Sequence, residues 1–394
     1  MFNILRMKVL LITPSPPEYL GGLALFSKDL AINLQKSGVQ VDILTSTLSK
    51  KGPILEILDG SINVFKQKVY LFPDNDNILK IKNPLFLIFK YLKKNANKYD
   101  LIHVHSYIYF STIQTFINKI LFNSKIPVIL HLHGGIQTEE YSASNKIEKI
   151  MLLLKKYIFD IVSGKFIINK AETVISVSKD DILSINKVFR INRKKNNYFL
   201  PNVVDSNKFI KLNSINRKYI GFIGRLTKIK GIDLFLILIK KLNNVNKNQK
   251  FLIIGEGPYI NEVKEAIKEY PIKFLERVAH KDMVKYYNQC EIFVQTSRAE
   301  GLPTCILEAL SCEVPVVATN VGGTNEIVNN DKTGYLFENG KVDQAIEYIN
   351  LIKKNNTYNE LGRNGRNLIK QKFSWDAITK KIILIYKKVL SEKN

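Results

Sequence analysis

Two doubly wound parallel-sheet α/β domains facing a cleft are predicted for this 394-residue chain, from three observations. Short β-branched, apolar runs recur with helix-length segments between most of them, and strands that are apolar throughout must be covered on both faces, which calls for parallel pairing and crossover helices. After Pro201-Asn202 the whole pattern restarts. The length, at roughly 100–200 residues per domain, suits two cores.

The first series begins at Lys8 (KVLLIT) and continues at Val39 (VQVDILT), Leu101 (LIHVHS), Pro127 (PVILHLH) and Thr173 (TVISVS). The N-terminal run has some signal-peptide character, but it leads into a Gly-containing loop and the helix-period segment Leu23–Ser37, so it reads as a first strand. The second series runs through Lys218–Gly224, Phe251–Ile254, Ile272–Leu275, Ile292–Val294 and Val314–Val317. Between them, residues 201–217 are polar and rich in Asn and Lys, as an exposed linker should be. Beyond Gly340 the chain reads as helical, broken once at Phe373-Ser374-Trp375. The predicted domains are therefore 1–200 and 218–372, with a terminal helix over 373–394. Ligands of such folds bind beyond the carboxyl ends of the strands, so chemistry is sought in the loops that follow strands.

Composition narrows the class. With 45% hydrophobic and 24% charged residues, the chain is neither disordered nor collagenous. Cys290, Cys305 and Cys312 are odd in number and form no C-x-x-C pair, which points to a reducing cytoplasm and ordinary packing. No run reaches the ~18 apolar residues of a membrane span. The net charge of +24 is scattered along the chain rather than gathered in a tail, which favours an anionic bilayer or anionic substrate over nucleic acid.

Several strand-end loops carry candidate chemistry. Gly21-Gly22 precedes the first helix, where a backbone can approach a ligand and a helix N-terminus can face an anion. The dinucleotide fingerprint G-x-G-x-x-G is not matched, which argues against a dehydrogenase. His103/His105 and His131/His133 form two H-x-H pairs at strand ends. Alternation puts each pair on one face, where the rings could meet a metal or simply bond to backbone groups; with no carboxylate paired to them, no metal is expected. His133, followed by Gly134-Gly135, is the expected cleft residue, and His103 and His131 read as core.

In the second half, Gly224-Arg225-Leu226-Thr227-Lys228-Ile229-Lys230-Gly231 sets Arg225 and Lys230 in a loop just before a helix, a natural diphosphate clamp or else a solvated basic loop. Gly255-Glu256-Gly257-Pro258 ends another strand as a tight turn. Glu300-Gly301-Leu302-Pro303 fixes a turn ahead of a buried helix carrying Glu308. Two acceptor-only carboxylates held this way could read hydroxyls at opposite ends of one ligand, each such hydrogen bond being worth about 1.5–3 kcal/mol.

These motifs resemble those of glycosyltransferase family 4, retaining enzymes with the two-Rossmann GT-B fold. The resemblance is carried by G-G after the first strand, H-x-H-G-G, P-N-V-V-D at 201–205, G-R-L-x3-K-G, G-E-G, the E-x7-E of Glu300 and Glu308, V-P-V-V-A-T-N-V-G-G-x-x-E ending at Glu326, T-G-Y-L-F and F-S-W. It implies that Glu300 bonds donor-sugar hydroxyls, with Gly301 and Leu302 beside it, and that Glu308 bonds the nucleotide ribose. Arg225 and Lys230 would hold the diphosphate, Gly21 and Gly22 would border donor phosphate and acceptor, and His133 would lie at the reacting sugar. Asn202 is similar to the family's interdomain asparagine, Gly257 lines the donor side, and Trp375 would mark where the last helix crosses back. Glu276-Arg277 stands where many relatives have glycine, and P-N-V-V-D lacks a usual glycine.

The implied reaction needs no cofactor beyond a nucleoside-diphosphate sugar, UDP- or GDP-linked, and no divalent ion, since fixed cations can meet the charge on the leaving diphosphate. Asp74-x-Asp76 copies a metal-binding D-x-D but reads as a loop. The expected acceptor is a glycan or lipid-linked sugar of cell-surface polysaccharide or glycolipid synthesis. Pro84–Lys98 (PLFLIFKYLKKNANK) is apolar at its start and basic at its end, either a helix on the anionic cytoplasmic face of a membrane or a buried crossover helix. The competing functions are a sugar-nucleotide epimerase on the same fold and a non-catalytic nucleotide- or nucleic-acid-binding module.

Overall fold

The fold is that of a computed structural model, which describes residues 7–19, 22–48, 54–71, 85–133, 155–177, 179–192 and 196–392. Gly21, Asp74, Asp76, Gly134 and Gly135 lie outside the described residues. The chain divides into two compact units: the first holds the described residues up to 200 together with 378–392, the second holds 201–377.

In the first unit the strands are β1 (Lys8–Ile12), β2 (Gln40–Ser46), β3 (Ile54–Leu58), β4 (Ile62–Gln67), β5 (Val69–Leu71), β6 (Leu85–Phe86), β7 (Leu101–His105), β8 (Val128–Leu132), β9 (Thr173–Ser176) and β10 (Asn197–Phe199). Eight of them form one sheet in the order β10-β9-β8-β7-β1-β2-β4-β3, parallel except for the β3–β4 hairpin, and β5 pairs with β6 separately. Every residue of β7 and β8 is buried, their histidines included, as suits parallel strands covered on both faces. The core beneath joins Leu10, Val104, Leu130 and Val174 from the sheet to Phe86, Ile88, Leu92 and Phe116.

The second unit contains β11 (Tyr219–Ile223), β12 (Lys250–Ile254), β13 (Ile272–Leu275), β14 (Cys290–Gln295), β15 (Val316–Thr319) and β16 (Gly334–Phe337). They form a fully parallel six-stranded sheet in the order β13-β12-β11-β14-β15-β16. The direction of winding reverses between β11 and β14, so the loops after these two strands emerge side by side at the switch point, where an open α/β sheet presents its ligand site. In the first unit the reversal falls between β1 and β7.

Three expectations need correction. Residues 201–217 are not a free linker: Val204 N donates to Phe373 O, Leu212 N to Asn288 Oδ1, and the Arg217 guanidinium to the carbonyls of Cys312 and Glu313. A polar stretch can look like a linker when its polarity is spent on backbone hydrogen bonds within a domain. The C-terminal region is three helices, Val342–Asn355, Tyr358–Lys372 and Trp375–Ser391, because Asn356 takes a left-handed conformation and ends the first of them. Within Pro84–Lys98 the described residues do not form one long helix. The α-helix there is Phe89–Asn95, and Phe86, Ile88 and Leu92 are spent in the core.

Candidate active site

The site is built from the two loops at the switch point of the second unit. After β11 the chain makes a short 3-10 turn over Lys228–Lys230 and enters helix Ile232–Val245 through Gly231. Gly231 has φ +69°, and a Cβ there would stand 1.9 Å from Thr296 O. Only glycine lets the two loops approach this closely. Thr296 Oγ1 donates to Gly231 O at 2.7 Å, and Arg298 N donates to Ile229 O at 2.7 Å. The Arg298 guanidinium grips Asp233 with both nitrogens, at 2.7 and 2.6 Å, and reaches Lys228 O as well. The basic loop and the acidic loop are thus stitched into one body.

Their side chains meet in an ion pair. Lys230 Nζ lies 2.6 and 2.8 Å from the two carboxylate oxygens of Glu300. Glu300 Oε1 also accepts from Gln295 Nε2 at 2.8 Å and Ser297 Oγ at 2.7 Å. The carboxylate is 7% exposed and the lysine 24%. Burying a carboxylate this far costs least when it is paired and hydrogen-bonded, as this one is. A second glycine contact fixes the same turn from the other side: Gly322, at φ +51°, brings its Cα so close to Glu300 O that a Cβ would fall 1.8 Å away, and Gly323 N donates to Gly301 O at 2.7 Å. Asn202 Nδ2 donates to Leu302 O at 2.7 Å.

Glu308 belongs to the adjoining helix Thr304–Ser311, where its carboxylate accepts from His280 Nε2 at 2.9 Å and from Tyr287 Oη at 2.7 Å. Cys305 connects the two acidic environments, since burial first, then Glu300 and Glu308, against the pull of Lys230, push its thiol up to about 12. All three cysteines are free. Arg225 is exposed on the same loop as Lys230, and its side chain makes no hydrogen bond or ion pair among the described residues. Gly257 packs against the carbonyl of Leu226 in the same loop. The structure brings Lys230 and Glu300 into contact and sets Asn202 against Leu302 and Gly257 against Leu226, while Gln295, Ser297, Arg298, Asp233, His280 and Tyr287, which the sequence did not single out, join the same bonded groups.

The first unit gathers its histidines at the corresponding position. Strand register sets His105 opposite His131, and both are fully buried with His103. Ring centres lie 4.7 Å apart for His103–His105 and 4.1 Å for His131–His133, and the Phe26 ring meets His131 edge-on at 5.3 Å. His105 Nδ1 pairs with His133 Nε2 at 2.8 Å, and His103 Nδ1 with Tyr386 Oη at 2.6 Å. Backbone bonding, expected for the core rings, is not what they do. His103 Nε2, His105 Nε2 and both nitrogens of His131 have no hydrogen-bond partner among the described residues. Burial, reinforced by the neighbouring rings, holds His103, His131 and His133 well below 6.5, and burial alone brings His105 to about 3, so the cluster is neutral. His103, His105 and His131 bring potential metal-ligand atoms within 4.8 Å of one another, a group of described residues that could hold an ion.

The structure thus joins in one chain two doubly wound parallel-sheet units, one of them with a lysine–glutamate pair at its switch point. Comparison with known proteins supplies the assignment. Residues 20–208 match Glycosyltransferase Family 4, and residues 204–368 match Glycosyl transferases group 1. Both halves of the chain thus match glycosyltransferase models, and the chain is a glycosyltransferase. It is 26% identical over 392 residues to an uncharacterized glycosyltransferase of Methanocaldococcus jannaschii, covering 97% of this chain and 99% of that one. It is 25% identical over 343 residues to the Escherichia coli UDP-Gal:alpha-D-GlcNAc-diphosphoundecaprenol alpha-1,3-galactosyltransferase, covering 82% and 84%. In fold it is similar to the sucrose-phosphate synthase of Thermosynechococcus elongatus, with TM-score 0.77, 18% identity and coverage of 98% and 100%. The Anabaena HepE structure in complex with UDP-glucose has TM-score 0.69 and 20% identity, covering 97% and 100%.

Proposed function

We propose that the protein transfers a sugar from a nucleoside-diphosphate sugar to a glycan or lipid-linked acceptor, with retention of anomeric configuration and without a divalent ion. The observation that carries the reading is the Lys230–Glu300 pair at the switch point, with Arg225 unpaired on the same loop. As the sugar–phosphate bond breaks, negative charge grows on the leaving diphosphate and the sugar gains oxocarbenium character. Lys230 and Arg225 meet the growing charge, which is the task a fixed cation performs best. Glu300 accepts from donor-sugar hydroxyls, Glu308 from ribose hydroxyls, and His133 and Gly22 serve the reacting sugar and acceptor. Attack from the face the diphosphate leaves accounts for retention, since no carboxylate is assigned as a covalent nucleophile.

The HepE complex contains UDP-glucose, and the E. coli relative uses a UDP-sugar and a diphosphoundecaprenol acceptor; both support a UDP-sugar donor and a lipid-linked acceptor of polysaccharide synthesis. A relative from Staphylococcus aureus, 28% identical over 254 residues, is a capsular polysaccharide glycosyltransferase. The test is a thermal-shift screen of sugar nucleotides followed by transfer assays with chelator present. A stabilising donor should raise stability by about 2.7 kcal/mol at 100 times its dissociation constant. Transfer should persist in chelator and give the retained anomer. Epimerised donor formed without acceptor, or an inverted product, would refute the reading.

A further inference from the structure

The first unit carries an apolar face that its own core does not use. Helix Phe110–Leu121 buries Phe116 but leaves Ile117 37%, Ile120 48% and Leu121 66% exposed, and Phe122 follows at 45%. Beside it runs the segment Phe86–Asn95. Gln114 accepts from Ile88 N at 3.0 Å and donates to Phe86 O at 2.8 Å, which holds the intervening Leu87, 51% exposed, against the same helix. Lys93 Nζ stands 5.2 Å over the Phe122 ring, so cation and apolar surface are in direct contact.

The charge around this face has one sign. From Leu85 to Ile126 there are six lysines and a single acid, Asp100, whose carboxylate is occupied by Lys8 N at 2.8 Å. Lys119 is paired with Glu172, but Lys90, Lys93, Lys94 and Lys125 are exposed and make no ion pair among the described residues. Exposed apolar groups clustered on a surface mark an interaction site, and a rim made only of lysines selects an anionic partner. A protein partner would need a complementary acidic rim around an apolar socket. An anionic bilayer supplies both halves at once, phosphate outside and hydrocarbon beneath.

We infer that Leu87, Ile117, Ile120, Leu121 and Phe122, with Lys93 and its neighbouring lysines, form a docking surface for an anionic lipid bilayer. The surface adds to the proposed function by bringing the enzyme to a lipid-linked acceptor, but it is read out by vesicle binding. It can therefore fail while transfer stands, and the reverse. No described helix is long and apolar enough to cross a membrane, so attachment of this kind is peripheral.

The experiment is co-sedimentation of the full chain with vesicles of phosphatidylcholine alone and with about one-third phosphatidylglycerol, at low and high salt. Binding to the anionic vesicles only, weakened by salt, is expected. Lys93→Glu/Lys94→Glu should weaken it at least about tenfold, since each lysine near such a surface contributes about fivefold. Leu121→Ser/Phe122→Ser should weaken it severalfold and leave the salt dependence in place. Thermal melts and transfer to a water-soluble acceptor should be unchanged in both variants. Wild-type protein that stays in the supernatant, or variants that bind like wild type, would overturn the inference. A dimer in sedimentation velocity that Leu121→Ser/Phe122→Ser dissociates would also overturn it, by making the face a contact between copies.

Discussion

The switch points of the two sheets are filled in opposite ways. In the second unit the position holds a charged pair with every carboxylate oxygen bonded. In the first it holds neutral rings, several nitrogens of which have no partner among the described residues. The winding reverses in the same way at both points, although the sheets differ in strand number, so winding alone does not account for the difference. In the proposed reaction, charge is kept where a leaving diphosphate would be met, because a charge can stay shielded from water only if its partners are already in place. The imidazoles avoid that requirement by staying unprotonated, at the cost of unmet hydrogen bonds and a dependence on pH.

The sharpest way to break this comparison is to remove charge from the second unit. Glu300→Gln should lower turnover about 10²-fold or more in steady-state assays, with the fold retained. Loss of the partly shielded pair should cost about 2 kcal/mol in a denaturation curve, between the values for exposed and buried pairs. Acid should act on the other unit. Unfolded histidines bind protons near 6.5, whereas His105 does so only near 3 when folded and its three neighbours well below 6.5. The unfolded chain therefore takes up more protons as pH falls, and histidine-linked stability is complete above 6.5 and lost below it. Each ring contributes about 1.4 kcal/mol per pH unit through that window. Hydrogen exchange at pH 5 should show β7 and β8 opening more readily than β11 and β14; equal protection would contradict the neutral-cluster account.

Smaller effects sharpen the picture within the charged site. Glu308→Gln should weaken nucleotide binding roughly tenfold by calorimetry, because His280 and Tyr287 hold its carboxylate ready for a ligand. Arg298→Lys, which gives up the two-nitrogen grip on Asp233, should lower kcat a few-fold with little change in KM. Cys305, its thiol pushed up to about 12, should resist alkylation at pH 8 in the folded protein and react once it is unfolded.

What the sequence disclosed follows physical lines. β1, β7, β8 and β12 were legible because burial on both faces leaves mainly apolar runs, broken in β7 and β8 only by histidine. β3 was not, because Ile54–Leu58 is an exposed edge strand containing Glu56, and β10 has only three residues. Lys230, Glu300 and Glu308 stood out because glycine and proline mark the turns that hold them. Gln295, Ser297 and Arg298 carry no such mark, being polar residues after a strand like those of any loop. The His280–Glu308 contact spans 28 residues and depends on how the chain returns from β13, which no local pattern encodes. The histidine pairs were visible, but their bonding to one another and to Tyr386 rests on strand register and on a helix 283 residues away.

The most direct measurement of the central claim follows donor binding and turnover together in wild type and Lys230→Ala, using calorimetry with the nucleoside diphosphate and a transfer assay with its sugar. The account predicts at least tenfold weaker diphosphate binding and a larger fall in turnover, because the lysine meets more charge in the transition state than in the bound donor. Unchanged binding and turnover in a folded Lys230→Ala protein would contradict it.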